Sequence, residues 1–375
     1  MKKLTYIIIS IILISSCSTL KIEKVNSNSD IKKNGFVYNL PKTQLNIEFT
    51  VVKTKYYKGP FSDYSDEYLG FDNVIEKNEI KYEIASINIT PNLVNDTSQT
   101  YFVSGKSKNF KTSNYFDNTM VLKSINKEEE TTNNTNYEYN IKKQITEDPH
   151  YIPFKDITTK PLVIEKNDTI WKNILVDSVY KRVPKINKAI APSTTKDQAF
   201  NASKFIFKIR KRRLRVIAGM DEKYPKGDAL KKIIKELDEL EETYIELFTG
   251  KTISDTITYT VSIVPNEENK ISELLVNFDN KNGFSKNAID KILISISKEN
   301  ENLVLRKLEN KEKTNNQFTY RIPENANISI SIDNKEIYKT RIPVSQYGYV
   351  NYLNKNSFNK EVLFNENSGN LIYIK

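Results

Sequence analysis

The chain has 375 residues, of which 38% are hydrophobic, so it is long enough to form sizeable cores in about two domains. Its formal net charge is +10, or 10 − 2 = +8 once two N-terminal lysines are removed with a leader. A basic chain suits anionic partners such as nucleic acid, lipid or glycan, and a protein exported to the cell envelope would meet lipid or glycan rather than nucleic acid. One histidine and one cysteine exclude a histidine-based metal cluster and an internal disulfide. We expect neither a metal nor a cofactor.

The N-terminus has the pattern of a bacterial lipoprotein signal peptide over residues 1–16. Two lysines precede an apolar run over residues 4–14, which is shorter than the roughly 20 residues that a membrane-spanning helix needs. Two serines then precede Cys17, an arrangement that resembles a lipobox, whose cysteine becomes the lipidated first residue. The alternative is an ordinary signal peptide with an incidental cysteine. Ser18, where inner-membrane lipoproteins carry aspartate, indicates the outer membrane, and the absence of a following acidic cluster favours its periplasmic face.

A tether and a β-rich domain are predicted to follow. Residues 17–35 are polar and lack a period, which predicts a flexible tether. Apolar and polar residues alternate in QLNIEFTVVK and in IKYEIASINIT, which predicts strands in a β-rich domain over residues 36–190. The Asn- and Glu-rich segment near 123–140 is predicted to be an exposed loop or locally disordered.

Between these two strands, the segment YYKGPFSDYSDEYLGF is rich in aromatic residues. Its ring spacing predicts a short helix that ends at Gly70 and buries most of the rings in a core. Aromatic faces also bind sugars and peptides, so Tyr56 and Tyr57 are candidate ligand contacts.

Helical spacing dominates residues 196–250, which predicts an antiparallel helical hairpin. Its first helix is predicted over 197–218, and Asp228 is predicted to cap the second, which ends before Gly250. Residues 251–375 are short alternating segments between Asn-rich turns, which is typical of a β-sandwich or partial barrel. The predicted fold is therefore α+β and mostly β, with an N-terminal β region, the hairpin, and a C-terminal β-sandwich-like region.

The first predicted helix contains KFIFKIRKRRLR, a dense basic run without an acid, whereas the second is rich in acids. In an antiparallel hairpin the two charge clusters are offset, so they neutralise each other only in part. One interpretation is a solvated, partly paired helix surface. The functional interpretation is contact with anionic lipid or phosphate. Its candidate residues are Arg210, Arg212, Arg213 and Arg215.

Catalytic signals are sparse. His150 is the single histidine, and the chain lacks a nucleophile elbow, a phosphate loop and a dinucleotide-binding glycine pattern. We therefore name no catalytic residue, although paired carboxylates for glycoside hydrolysis stay open. Asp168, Asp177 and Asp255 each begin an Asp-Ser/Thr-apolar triplet that resembles an O-glycosylation signal of envelope proteins.

Several blocks of the chain resemble, in order, a bacterial family called domain of unknown function 4831. They include LPKTQLNIEFTVVKTKYYKGPFSDYSDEYLG, AFNASKFIFKIRKRRLRVIAG, GDALKKIIKELDELEETYIELFTGK, RIPVSQYGYV and FNENSGNLIYIK. The resemblance spans residues 36–375, and its Gly-Pro-Phe and Leu-Phe-Thr-Gly blocks are fairly specific. It implies no activity, ligand or catalytic residue.

The sequence thus predicts a lipid-anchored cell-envelope protein that acts as a non-enzymatic binding or structural module. Its expected partners are the membrane, through the N-terminal lipid, and an envelope glycan or protein. The alternative is a glycan-acting envelope enzyme that uses paired carboxylates.

Overall fold

The computed structural model describes residues 21–25, 35–104, 121, 124–125, 151–154, 163–177, 179–220, 227–266, 271–299, 317–353 and 360–375. The predicted signal peptide, Cys17, His150 and most of the predicted loop near 123–140 lie outside these residues.

The described residues are mostly β-strand, which confirms the predicted β-rich character. The strands are β1 Lys21–Lys24, β2 Gly35–Tyr57, β3 Glu79–Ser104, β4 Ser124–Ile125, β5 Val163–Val176, β6 Val179–Pro192, β7 Lys251–Ile263, β8 Ile271–Asp279, β9 Gly283–Phe284, β10 Lys291–Lys298, β11 Phe318–Ile332, β12 Lys335–Leu353, β13 Val362–Phe364 and β14 Leu371–Ile374. The helices are α1 Ser65–Leu69, which follows a 3-10 turn at Ser62–Tyr64, α2 Thr195–Ile217 and α3 Asp228–Thr249.

Part of the predicted tether is a strand. β1 pairs antiparallel with the end of β3, from Lys21 opposite Ser104 to Lys24 opposite Tyr101, and Ile22 is buried. The prediction of a flexible tether is therefore corrected at residues 21–24. One apolar residue among polar neighbours is a weak signal, because the pairing edge that orders this stretch comes from a distant part of the chain.

The chain forms two compact units, each drawn from separated stretches of sequence. The first comprises Met1–Val51, Tyr82–Gln144 and Ile257–Lys375, and the second comprises Val52–Lys81 and Ile145–Thr256. This division differs from the consecutive domains that the sequence predicts. Local patterns identify strands and helices, but they do not show which distant strands share a sheet.

Two sheets contribute to the core of the first unit. One sheet has the order β1-β3-β2-β7 and another has the order β12-β11-β10-β8-β9. On β2 the fully buried apolar residues alternate with their neighbours: Leu45, Ile47, Phe49 and Val51. They belong to one cluster with β10 residues of the other sheet: Ile292, Ile294 and Ile296. The core under the C-terminal sheet is therefore shared with a sheet that combines the N-terminal strands β1, β2 and β3 with β7.

A buried charge cluster joins β3 and β11 in this unit. Arg321 and Asp96 are 2% and 1% exposed, and the Arg321 guanidinium donates to Asp96 Oδ2 and to the carbonyl oxygen of Pro41, both at 2.8 Å. Lys42 Nζ lies 3.1 Å from Asp96 Oδ1, and the Ser98 hydroxyl donates to the same oxygen at 2.6 Å. Burial alone would raise the pKa of the Asp96 carboxyl, but the hydrogen bonds from Ser98 and Lys42 and the charge of Arg321 lower it overall.

The second unit is organised around a close contact between two distant segments. A Cβ atom at Gly59 would lie 2.5 Å from the carbonyl oxygen of Leu247 near the end of α3. The Phe61 amide donates to that oxygen at 2.9 Å, and the Phe61 ring packs on Phe248 at 5.5 Å. Gly70 follows α1 with φ 70°, as the sequence predicts. The Gly-Pro-Phe and Leu-Phe-Thr-Gly blocks therefore pack against each other, and this contact supports the interpretation of the aromatic segment as core.

The two long helices form an antiparallel pair in this unit. Thr194 and Asp197 begin α2 with a reciprocal capping box, and Gly250 follows α3 with φ 91°. Asp228 is the first residue of α3, but Gly227 occupies the cap position and no side chain accepts a capping hydrogen bond. The predicted Asp228 cap is therefore wrong. The Asp228 carboxylate instead lies 3.3 Å from Lys231 Nζ.

We expect Asp96→Asn to reduce the free energy of unfolding by about 3–5 kcal/mol, because it leaves Arg321 buried without its countercharge. Urea unfolding at neutral pH measures the loss. Asp63→Asn is the matched control, since it breaks an exposed ion pair with Lys58, and it should cost less than about 1 kcal/mol. Equal small losses for both variants would contradict the assigned role of the cluster.

The same pair gives a pH prediction. The lowered folded-state pKa of Asp96 means that its stabilisation is fully present above the unfolded-state pKa, about 4, and is lost as the pH falls through the folded-state value. Lowering the pH should therefore reduce the free energy of unfolding less in Asp96→Asn than in the wild-type protein.

We expect Gly59→Ala to destabilise the second unit by about 1–3 kcal/mol, because the added methyl group meets backbone that cannot rotate away. The helical circular dichroism signal during urea unfolding measures this effect. Pro60→Ala, at the exposed neighbouring position, should change the stability by less than about 1 kcal/mol. An unchanged Gly59→Ala protein would refute the close contact.

Candidate functional site

Helix α2 carries the strongest local charge in the described part of the second unit. Its one acidic residue is Asp197, in the first turn. Its basic residues are Lys196, Lys204, Lys208, Arg210, Lys211, Arg212, Arg213 and Arg215. Such a helix requires either countercharges on its neighbours or a surface that meets anions.

The inner face of α2 is apolar and packs on α3. Ala199, Ile206 and Ile209 are buried in one cluster with Leu247 and Phe248 of α3. The Phe205 ring contacts the Tyr244 ring at 4.6 Å between centroids. These contacts determine which face of α2 turns outward.

Two of the four predicted arginines pair with carboxylates of α3. Arg210 Nε lies 2.6 Å from Glu241 Oε1, and Arg213 donates to Asp238 Oδ1 at 2.6 Å. Arg213 also lies 2.6 Å from Glu241 Oε2, so the buried Glu241 carboxylate bridges both guanidiniums. The hydrogen bond that Arg213 donates to Asp238 and the neighbouring carboxylate charges raise the pKa of Arg213 further above its usual value. Arg210 and Arg213 therefore help to join the helices.

The outer face of α2 combines two stripes. The basic stripe consists of the exposed residues Lys204, Lys208, Lys211, Arg212 and Arg215. The apolar stripe consists of Phe200, Phe207, Leu214 and Ile217, which are 44%, 52%, 63% and 61% exposed. The first three apolar residues recur every seven positions, which is almost two helical turns, so they lie along one line of the helix.

Cationic groups lie directly against the apolar stripe. Lys204 Nζ is 4.0 Å from the centroid of the Phe200 ring, and Arg210 Cζ is 5.5 Å from that of Phe207. Phe200 also contacts Tyr68 of α1, with 5.6 Å between ring centroids. The outer face therefore offers apolar side chains and positive charge within the same few ångströms.

The sequence prediction identified the charge of this face but not its apolar stripe. In the sequence, Phe200 and Ile217 recur at helical spacing in the same way as Ile206 and Ile209. The structure separates them, since the latter two are buried against α3 and the former two are exposed. The seven-residue recurrence of Phe200, Phe207 and Leu214 is the signal that could have found the stripe.

The two predicted aromatic contacts lie in the second unit. Lys81 Nζ is 5.1 Å from the centroid of the Tyr56 ring. The Tyr57 ring contacts Tyr151 at 6.2 Å. Both tyrosines are partly buried, so the structure gives each of them a packing role.

Tyr151 is a wall of a small cavity with a volume of about 160 Å³. The other lining residues are Ile152, Pro153, Phe154, Thr243, Glu246, Leu247 and Lys251. Glu246 is the one carboxylate among these described lining residues, and it accepts from Lys251 Nζ at 2.8 Å. That hydrogen bond raises the pKa of Lys251. A single carboxylate held in an ion pair does not form the acid and base pair that glycoside hydrolysis uses.

Two negative findings hold for the described residues. No group of three or more His, Cys, Asp or Glu side chains there is placed to hold a metal ion. None of the helices there combines the length and apolarity needed to cross a bilayer.

Thr169 and Thr256, from two of the predicted glycosylation triplets, are exposed.

Comparison with known proteins identifies one family. No curated protein sequence and no solved structure matches the chain. The sequence model of a family described as a domain of unknown function (DUF4831) matches residues 34–175 and 177–372, which is nearly the whole chain and agrees with the resemblance of the sequence blocks. The chain therefore belongs to this family.

Proposed function

We propose that this protein is a lipid-anchored protein of the outer membrane, on its periplasmic face, and that it works as a non-enzymatic binding module. Cys17 carries the anchor, and the outer face of α2 lies on the anionic phospholipid surface. The observation that carries the proposal is the apolar stripe of α2 beside its basic stripe.

A membrane surface matches both stripes. A helix that binds in the interface inserts its apolar side chains at the boundary of the acyl chains, while its lysines and arginines remain among the headgroups. Each basic residue near an anionic surface contributes about 1 kcal/mol. Nucleic acid would match the charge and its bases can stack on phenylalanine, but it offers the exposed Leu214 and Ile217 no aliphatic surface.

The anchor and the helix would act together. A single acyl chain binds a membrane only weakly, and stable attachment needs a second signal such as further chains or a basic patch. The Ser15-Ser16-Cys17 pattern supports the first signal, and the α2 face supports the second.

We expect Cys17→Ala to abolish acylation and to release the protein from outer-membrane fractions. The measurement is envelope fractionation in a Gram-negative host together with the intact mass of the mature chain. Ser18→Ala is the control, and it should keep both the acyl mass and the location. A wild-type chain that is unacylated and begins at another residue would refute the anchor.

We expect Phe207→Gln combined with Leu214→Gln to weaken binding to vesicles at least roughly tenfold. Burial of one such side chain contributes about 1.5–3 kcal/mol, and about 1.4 kcal/mol corresponds to a factor of ten. The measurement is co-flotation of the mature chain, carrying Cys17→Ser, with vesicles of phosphatidylethanolamine and phosphatidylglycerol.

A charge variant tests the basic stripe separately. Lys208→Gln with Lys211→Gln should weaken binding to these vesicles and reduce its salt dependence, with little effect on neutral phosphatidylcholine vesicles. Lys231→Gln with Lys232→Gln removes the same charge from exposed positions of α3 and should leave binding unchanged. Equal effects of the α2 and α3 variants would show that net charge, and not the α2 face, determines binding.

A further inference from the structure

Strands β5 and β6 form a long two-stranded ribbon in the second unit. Each strand has 14 residues, and the register runs without a shift from Val163 opposite Pro192 to Val176 opposite Val179. Among the described residues, β5 and β6 belong to a sheet of these two strands alone. Both outer edges of the ribbon therefore carry backbone groups that no described strand pairs.

The ribbon exposes large apolar side chains along its length. Trp171 is 52% exposed, Leu175 60%, Tyr180 74% and Ile190 79%. An isolated two-stranded ribbon is marginally stable in water, and exposed apolar surface beside an unpaired edge is a template for pairing with another strand. These features indicate that the ribbon has a partner.

The two edges differ in what they can accept. Pro184 lies in the middle of β6, opposite Trp171, and it has no N–H to donate. In a continuous ladder such a proline faces its nitrogen away from the partner strand, so it interrupts the outer edge of β6. β5 contains no proline and no bulge. Within the described part of the chain, the outer edge of β5 is therefore the one that a further strand can pair without interruption.

The sequence of β5 is complementary to itself around Ile170. An antiparallel copy centred on this residue places Asp168 opposite Lys172 twice, once on each side of the centre, and Asn167 opposite Asn173. Asp168 and Lys172 are exposed and lie on the same face of the strand as Ile170. Centring the pair on Asp168 or on Lys172 instead places like charges opposite each other, which is unfavourable.

We propose that β5 pairs with β5 of a second copy of this chain, antiparallel and across a twofold axis at Ile170, to form a four-stranded sheet. The occupant is a second copy because the charge pattern is self-complementary and a twofold interface brings each residue to its own reciprocal partner. This inference is independent of the proposed membrane contact of α2.

A cysteine on the axis tests the register. Because Pro184 turns its nitrogen away from β5, the Trp171–Pro184 pair is not hydrogen-bonded, and the neighbouring Ile170 directs its N–H and C=O groups toward β6. The Ile170 residues of the two copies therefore form a non-hydrogen-bonded pair across the new edge. Their Cα atoms would be about 4.5 Å apart, which a disulfide can span. In the full mature chain with Cys17→Ser, Ile170→Cys should oxidise to a covalent dimer at least tenfold faster than Ile186→Cys. Ile186 is 62% exposed on β6 and is the matched control.

Charge exchange tests the complementarity. Asp168→Lys alone and Lys172→Asp alone should each weaken dimerisation at least tenfold in sedimentation velocity, whereas the double variant should recover it. Recovery also excludes misfolding as the cause of the single-variant losses. Equal oxidation of Ile170→Cys and Ile186→Cys, or no recovery in the double variant, would overturn the proposal. A monomer whose Trp171 fluorescence responds only to phospholipid vesicles would also overturn it and would assign the ribbon to the membrane.

Discussion

The second unit depends on the close approach of Gly59 to the carbonyl oxygen of Leu247. The absence of a side chain at Gly59 allows the chain after β2 to reach the end of α3, where Phe61 packs on Phe248. Because this contact fixes the end of α3, α2 packs its apolar side chains on α3 in one cluster. The side of α2 that does not contact α3 is its outer face. The Gly-Pro-Phe and Leu-Phe-Thr-Gly blocks therefore have a structural role that explains their residue types.

Helix α2 shows how one stretch of basic residues divides between structure and surface. Arg210 and Arg213 point toward α3, where a largely buried Glu241 and the more exposed Asp238 receive them. The lysines lie on the other side, beside exposed aromatic and aliphatic side chains. The sequence predicts that the basic cluster of α2 and the acidic cluster of α3 are offset. This offset agrees with the position of these lysines on the side of α2 away from α3.

The apolar side chains of β2 and of β5 have opposite outcomes. In β2 the apolar positions, such as Ile47 and Phe49, are covered by a second sheet and are fully buried. In β5 the apolar positions, such as Trp171 and Leu175, are exposed, because the described residues offer no sheet to cover them. Apolar residues in a strand therefore do not show by themselves whether they form a core or a contact surface, because that depends on which other strands lie against them.

The sequence by itself determined the β-rich character, the antiparallel helix pair, the basic run in α2 and the family. These follow from local periodicity, composition and sequence similarity, which neighbouring residues carry. Only the tertiary structure decided that β2 and β10 share one core, that Ile22 belongs to a strand, and that Asp96 and Arg321 form a buried pair. It also decided which residues of α2 face outward. Each of these depends on contacts between residues far apart in the chain, and local periodicity carries no information about such partners.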